Sequence, residues 1–115
     1  MKNMEEVKNY IMNYDKEVKS YELQAIYDYR KSFYGKATIK EINNLKLLYS
    51  YNTLVCAIYE NCYGVKYMLN LEIADNLLFS NTTLRHIKEF IKQNINSNIN
   101  FTKKEIMQNN NEYLK

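Results

Sequence analysis

Along the first third of the chain, apolar positions recur in alternating steps of three and four: Met4, Val7, Ile11, Tyr14, Val18, Tyr21 and Ala25. That is a heptad seam. Beyond Ala25 the stripe continues in steps of four through Tyr29 and Phe33, the drift of a helix that follows its own 3.6-residue period. No glycine or proline interrupts it before Gly35, which can take a positive φ at little cost and so suits a C-terminal cap. The spacing predicts one helix, or two with a break near Ser20, running from Met4 to Tyr34. Its stripe either covers the domain's own sheet or pairs with a second copy in a coiled coil, for which three heptads are marginal.

The next segment, Thr38-Ile-Lys-Glu41, has the capping-box spacing and predicts a short helix with Ile39, Ile42 and Leu45 facing inward. The run Thr53-Leu-Val-Cys-Ala-Ile-Tyr59 is apolar and β-branched throughout, as a strand buried on both faces would be. Asn61 and Gly64 supply turn chemistry, and Val65, Tyr67 and Leu69 alternate with Lys66 and Asn70 on the way out. This predicts a β-hairpin over 53–70, with a third strand at 71–74 or 77–79.

A helix start follows, because Ser80-Asn-Thr-Thr83 offers several caps before Leu84, Ile87, Phe90 and Ile91 take up helical spacing. That helix is expected over 82–93. The polar stretch Asn94 to Asn100 reads as a linker, and Thr102-Lys-Lys-Glu105 opens a short C-terminal helix or frayed tail over 101–115. The fold class is therefore α+β: one domain over 1–100, with a three- to four-stranded antiparallel sheet packed by the long N-terminal helix and the helix at 82–93.

Composition changes this picture little. The 115 residues are room for one core. Asn, Lys, Tyr and Ile, at 17, 14, 12 and 11 copies, make up nearly half of them, a bias toward A- and T-rich codons. The net charge of +3 is a mild excess, spread evenly along the chain. It permits contact with nucleic acid or an acidic protein and excludes a DNA mimic, which must be strongly acidic. No apolar run reaches the length of a membrane span, and the polar start MKNMEEVKNY lacks the apolar stretch of a secretion signal. A cytoplasmic protein is expected. Cys56 and Cys62 then read as reduced thiols rather than a disulfide framework.

The search for chemistry is mostly negative. With glycines only at 35 and 64, neither a phosphate loop nor a dinucleotide fingerprint can form. Cys56, Cys62 and His86 are the only soft metal ligands and lack the paired spacing of a zinc site. A Cys62–His86 nucleophilic pair can be drawn, but a small apolar cysteine and a surface histidine explain the same residues. No enzyme, metal or cofactor is expected.

Two constellations remain. Tyr27-Asp-Tyr-Arg-Lys-Ser-Phe-Tyr34 packs aromatics around two cations, a composition suited to protein interfaces and to stacking on bases. On a helix, Tyr29 and Phe33 would face inward, leaving Tyr27, Arg30, Lys31 and Tyr34 as the partner-binding set. The second is the helix start, where Ser80, Thr82, Thr83, Arg85 and Lys88 could hold a phosphate. Helix capping accounts for the hydroxyls equally well.

The string Ser50-Tyr-Asn-Thr-Leu-Val-Cys-Ala57, followed by Phe79-Ser-Asn-Thr-Thr-Leu-Arg-His-Ile-Lys-Glu-Phe-Ile-Lys-Gln93, resembles a pattern in short uncharacterised phage and plasmid proteins of low-GC Gram-positive bacteria. The match falls on Ser50, Tyr51, Asn52, Thr53, Ser80, Thr82, Thr83, Arg85, His86 and Phe90, and leaves the N-terminal segment uncovered. The resemblance implies a mobile-element accessory protein, and small proteins of that origin often bind and block a host defence component. An anti-CRISPR inhibitor of an RNA-guided nuclease is the first expectation. The alternatives are a nucleic-acid-binding regulator and a homodimer paired through the N-terminal helix.

Overall fold

A computed structural model of the chain describes residues 4–29, 32–70, 81–98, 100, 102 and 112–113. It is an α+β fold built on an antiparallel meander. Helix α1 spans Met4–Met12, followed by strands β1 (Lys19–Glu22), β2 (Ala37–Ile42), β3 (Leu45–Ser50), β4 (Thr53–Glu60) and β5 (Lys66–Asn70). Helix α2 spans Asn81–Asn94, and a two-residue strand β6 (Glu112–Tyr113) pairs with β5. The strands lie in the sheet in chain order, each antiparallel to the last.

The hairpin predicted over 53–70 is present as β4 and β5. Val55, Cys56, Ala57 and Ile58 are buried in succession, as expected for a central strand covered on both faces. Its turn is closed by Asn61, whose Oδ1 accepts hydrogen bonds from the Tyr63 and Val65 amides at 2.9 and 3.0 Å, and by Gly64 at φ +79°. Helix α2 also forms where its caps and spacing placed it, with Leu84, Ile87, Phe90 and Ile91 buried.

The first 50 residues differ from expectation. The helix predicted to Tyr34 ends at Met12, where the Asn13 side chain and backbone amide both donate to the Asn9 carbonyl, at 3.0 and 3.2 Å. The three-heptad seam is therefore absent, and residues 19–22 form an edge strand beside β2. The helix predicted from Thr38 is strand β2. Its residues alternate, Ala37 and Ile39 buried against half-buried Thr38 and Lys40, and β1 and β3 flank it on both sides. Inter-strand hydrogen bonds outweigh a four-residue cap pattern that occurs often by chance. Among the described residues the sheet consequently has five strands and a short sixth rather than three or four. The strand expected at 71–74 or 77–79 lies outside the described residues, as does most of the C-terminal helix or frayed tail expected over 101–115, of which Glu112–Tyr113 is strand β6 rather than helix.

The segment Ser50-Tyr-Asn-Thr53 is a two-residue hairpin turn between β3 and β4. Tyr51 and Asn52 both sit at positive φ, 52° and 70°, the geometry that matches the right-handed twist of the flanking strands. A β-bulge at Leu48/Tyr49 sharpens the twist just before it. Because a branched residue is costly in the left-handed region, Asn52→Val should destabilise the fold by about 1–2 kcal/mol, whereas Asn52→Gly should not. Urea denaturation of the two variants checks this.

Candidate functional site

The two motif halves meet at a buried junction. Ser50, ending β3, lies 2.8 Å from Nδ1 of His86 and 3.0 Å from the Thr83 hydroxyl on the first turn of α2. Phe33 packs edge-on against the imidazole at 4.7 Å between ring centres, and the Tyr51 ring lies 6.1 Å away. His86, expected at the surface, is fully buried. Its Nε2 has no hydrogen-bond partner among the described residues. Burial lowers its pKa from 6.5 to about 4; the nearby Asp28 charge opposes this and Lys36 adds to it.

A serine hydroxyl against an imidazole has the form of a nucleophile and its base. Here Ser50 and His86 are 2% and 0% exposed, so no substrate reaches the hydroxyl without separating α2 from β3. The junction works as a polar pin between hairpin and helix. The Cys62–His86 pair is not formed: Cys62 is exposed in the β4–β5 turn, while His86 faces Ser50. Cys56 is buried, and burial pushes its thiol pKa up, away from the thiolate a nucleophile needs.

The second assembly is open to solvent. Residues 27–29 and 32–34 form loop and turn rather than helix, so the one-sided helical patch predicted from Tyr27, Arg30, Lys31 and Tyr34 does not arise by helical spacing. Arg30, Lys31 and Ser80 lie outside the described residues. Tyr27 and Tyr34 are exposed and Phe33 is buried, as expected. Tyr29, expected to point inward, is 78% exposed.

Tyr27, Asp28 and Tyr29 instead form a wall against α2, held by Glu89, which no motif in the sequence marks. Glu89 is buried, and its Oε1 accepts hydrogen bonds from the backbone amides of Tyr27 and Asp28, each at 2.8 Å. Its Oε2 accepts from the Gln93 side chain at 2.7 Å, and the same Gln93 amide donates to the Gln24 carbonyl at 2.6 Å. Glu89 and Gln93 stand four apart, so one helix face reaches the loop twice. Arg85, one turn earlier, donates to the Tyr29 hydroxyl and lies over the Tyr29 ring at 4.8 Å.

Between loop and helix opens a groove of about 380 Å³ lined by Tyr27, Asp28, Tyr29, Arg85, Lys88, Glu89 and Lys92. Part of each constellation therefore shares one cavity: Tyr27 to Tyr29 from the first, Arg85 and Lys88 from the second, while Tyr34, Thr82 and Thr83 do not line it. The Glu89 carboxylate is committed to inward hydrogen bonds, so the helix wall presents Arg85, Lys88 and Lys92 to solvent. Thr83 belongs to the buried junction, not to this surface. Another hollow, against α1, is lined by Glu6, Asn9, Tyr10, Asn13 and Tyr14 and carries one charged side chain.

Residues 21–109 match the model of a protein family, running from β1 past α2 and so containing the whole groove. The chain belongs to this family, DUF8033, whose function is unknown. No curated protein and no solved structure matches the chain. Among the described residues no cluster of His, Cys, Asp or Glu could hold a metal ion, and no described helix is long and apolar enough to cross a membrane.

Proposed function

We propose that this is a non-catalytic binding protein that works through the groove between the 27–29 loop and α2. The observation that carries the reading is convergence. The aromatic segment and the cationic helix, 56 residues apart from Tyr29 to Arg85, are held together by a buried carboxylate whose bonds serve to position the loop. Tyrosine and arginine side by side at the surface are the residue types that dominate binding energy at interfaces. The one serine–histidine pair is sealed in the core, so activity is assigned to surface recognition.

The resemblance to phage and plasmid proteins narrows the target to a host defence component in the bacterial cytoplasm, an RNA-guided nuclease of a CRISPR system first. The test is an affinity pull-down from a lysate containing such a system, with wild type beside the charge-reversed pair Lys88→Glu and Lys92→Glu. The effector should be retained by wild type and depleted at least tenfold by the variant, as expected when cations at an interface are inverted. Equal retention by both proteins, or retention of no effector by either, refutes the reading.

A further inference from the structure

Resting on the groove as the binding surface, we infer that what it takes is single-stranded nucleic acid: a base stacks on Tyr29 while the flanking phosphates lie along Arg85, Lys88 and Lys92. Three observations lead there. The Tyr29 ring is 78% exposed and the Arg85 guanidinium lies over it at 4.8 Å, so the ring is held in place for a planar partner. Stacking of bases on aromatic rings, with arginine contributing, is the mode by which single strands are bound without regard to sequence. The cations at 85, 88 and 92 fall at steps of three and four and so run along one helix face for about 10 Å. That is a track for successive phosphates rather than a seat for one. Finally, the groove is lined by three cations, Arg85, Lys88 and Lys92, against the carboxylates of Asp28 and Glu89, and that of Glu89 already accepts from the Tyr27 and Asp28 amides and from Gln93, so the balance of charge suits a polyanion.

An RNA-guided effector carries single-stranded nucleic acid as part of its mechanism, and that strand is the component of the proposed target that would touch the groove. A free mononucleotide offers the same ring and phosphate, but would engage only one end of the track.

The experiment is fluorescence anisotropy with a labelled 20-mer of thymidine, titrated with the full chain at 50 and 200 mM salt. Competitors are thymidine monophosphate, a 20-bp duplex and heparin. The single strand should bind, weaken at least tenfold between the two salt concentrations because counterions are released, and be displaced poorly by the mononucleotide and the duplex. Tyr29→Ala should weaken binding at least fivefold and Tyr29→Phe less than twofold, since the ring and not the hydroxyl stacks. Lys88→Glu with Lys92→Glu should weaken it at least tenfold. Melting curves of each variant establish that the fold is intact. No binding at 50 mM salt, duplex bound as tightly as single strand, or a Tyr29→Ala variant equal to wild type each overturns the inference. If the strand fails to bind while the same lysine variant still loses its protein partner in the pull-down, the groove stands as the interface and only the ligand class falls.

Discussion

Lowering the pH from 7.5 to 4 should destabilise the protein by about 3 kcal/mol through His86 alone. In the unfolded chain this imidazole takes up its proton near pH 6.5, whereas in the folded protein it stays neutral until about pH 4. Between those values the unfolded state binds more protons. Stability is therefore fully present above about 6.5 and lost as the pH falls toward 4. The cause is the site: a ring buried against Phe33, with one nitrogen on the Ser50 hydroxyl and the other without a partner among the described residues. A second proton on the ring would place a charge in this buried site, which costs more than the nearby Asp28 carboxylate returns. Urea denaturation at half-unit steps of pH, for wild type and for His86→Gln, isolates the effect from that of the carboxylates. The variant should be less stable at pH 7.5 and flatter from 6.5 to 4. Parallel profiles for the two proteins would show that burial does not lower the pKa of the ring in the folded state.

The second large effect is expected at Glu89. Truncation by Glu89→Ala removes the acceptor of two backbone amides and of the Gln93 side chain. Hydrogen bonds to a charged group contribute about 1.5–3 kcal/mol each, but the loop can rehydrate, so a total loss of about 2–4 kcal/mol is expected. The local consequence is more specific. Tyr27 and Tyr29 should lose their place beside α2, and hydrogen exchange at the Tyr27 and Asp28 amides should accelerate by more than tenfold, while amides in β3 and β4 change far less. Glu89→Gln, which retains one carbonyl oxygen for the loop, should fall between the two. Equal exchange at residues 27 and 28 in wild type and Glu89→Ala would mean that the loop holds itself and that the groove is not built by Glu89.

Local pattern was sufficient wherever one segment's own sequence settled its partner. Helix α2 could be read because its caps and its Leu84, Ile87, Phe90 and Ile91 spacing agree, and agreement between levels of structure is what makes a segment unambiguous. The β4–β5 hairpin could be read because Asn61 and Gly64 close a turn between two strands adjacent in the chain. The one-sided stripe from Val7 to Ala25 was also real in part: Val7 is buried, and Tyr14, Val18 and Ala25 are half-buried against the core. Burial alone, however, does not choose between helix and strand. That choice went to β1 and β2 through hydrogen bonds between strands, which spacing along one chain does not record.

What the sequence by itself determined is therefore the α+β class, the central hairpin, the last helix and the residue types available for binding. Only the tertiary structure decided where those types meet. Ser50 joins His86 across 36 residues and Tyr27 joins Glu89 across 62. A hydrogen bond between positions so far apart depends on how the sheet and helix pack, and packing is a property of the whole core rather than of any window along the chain.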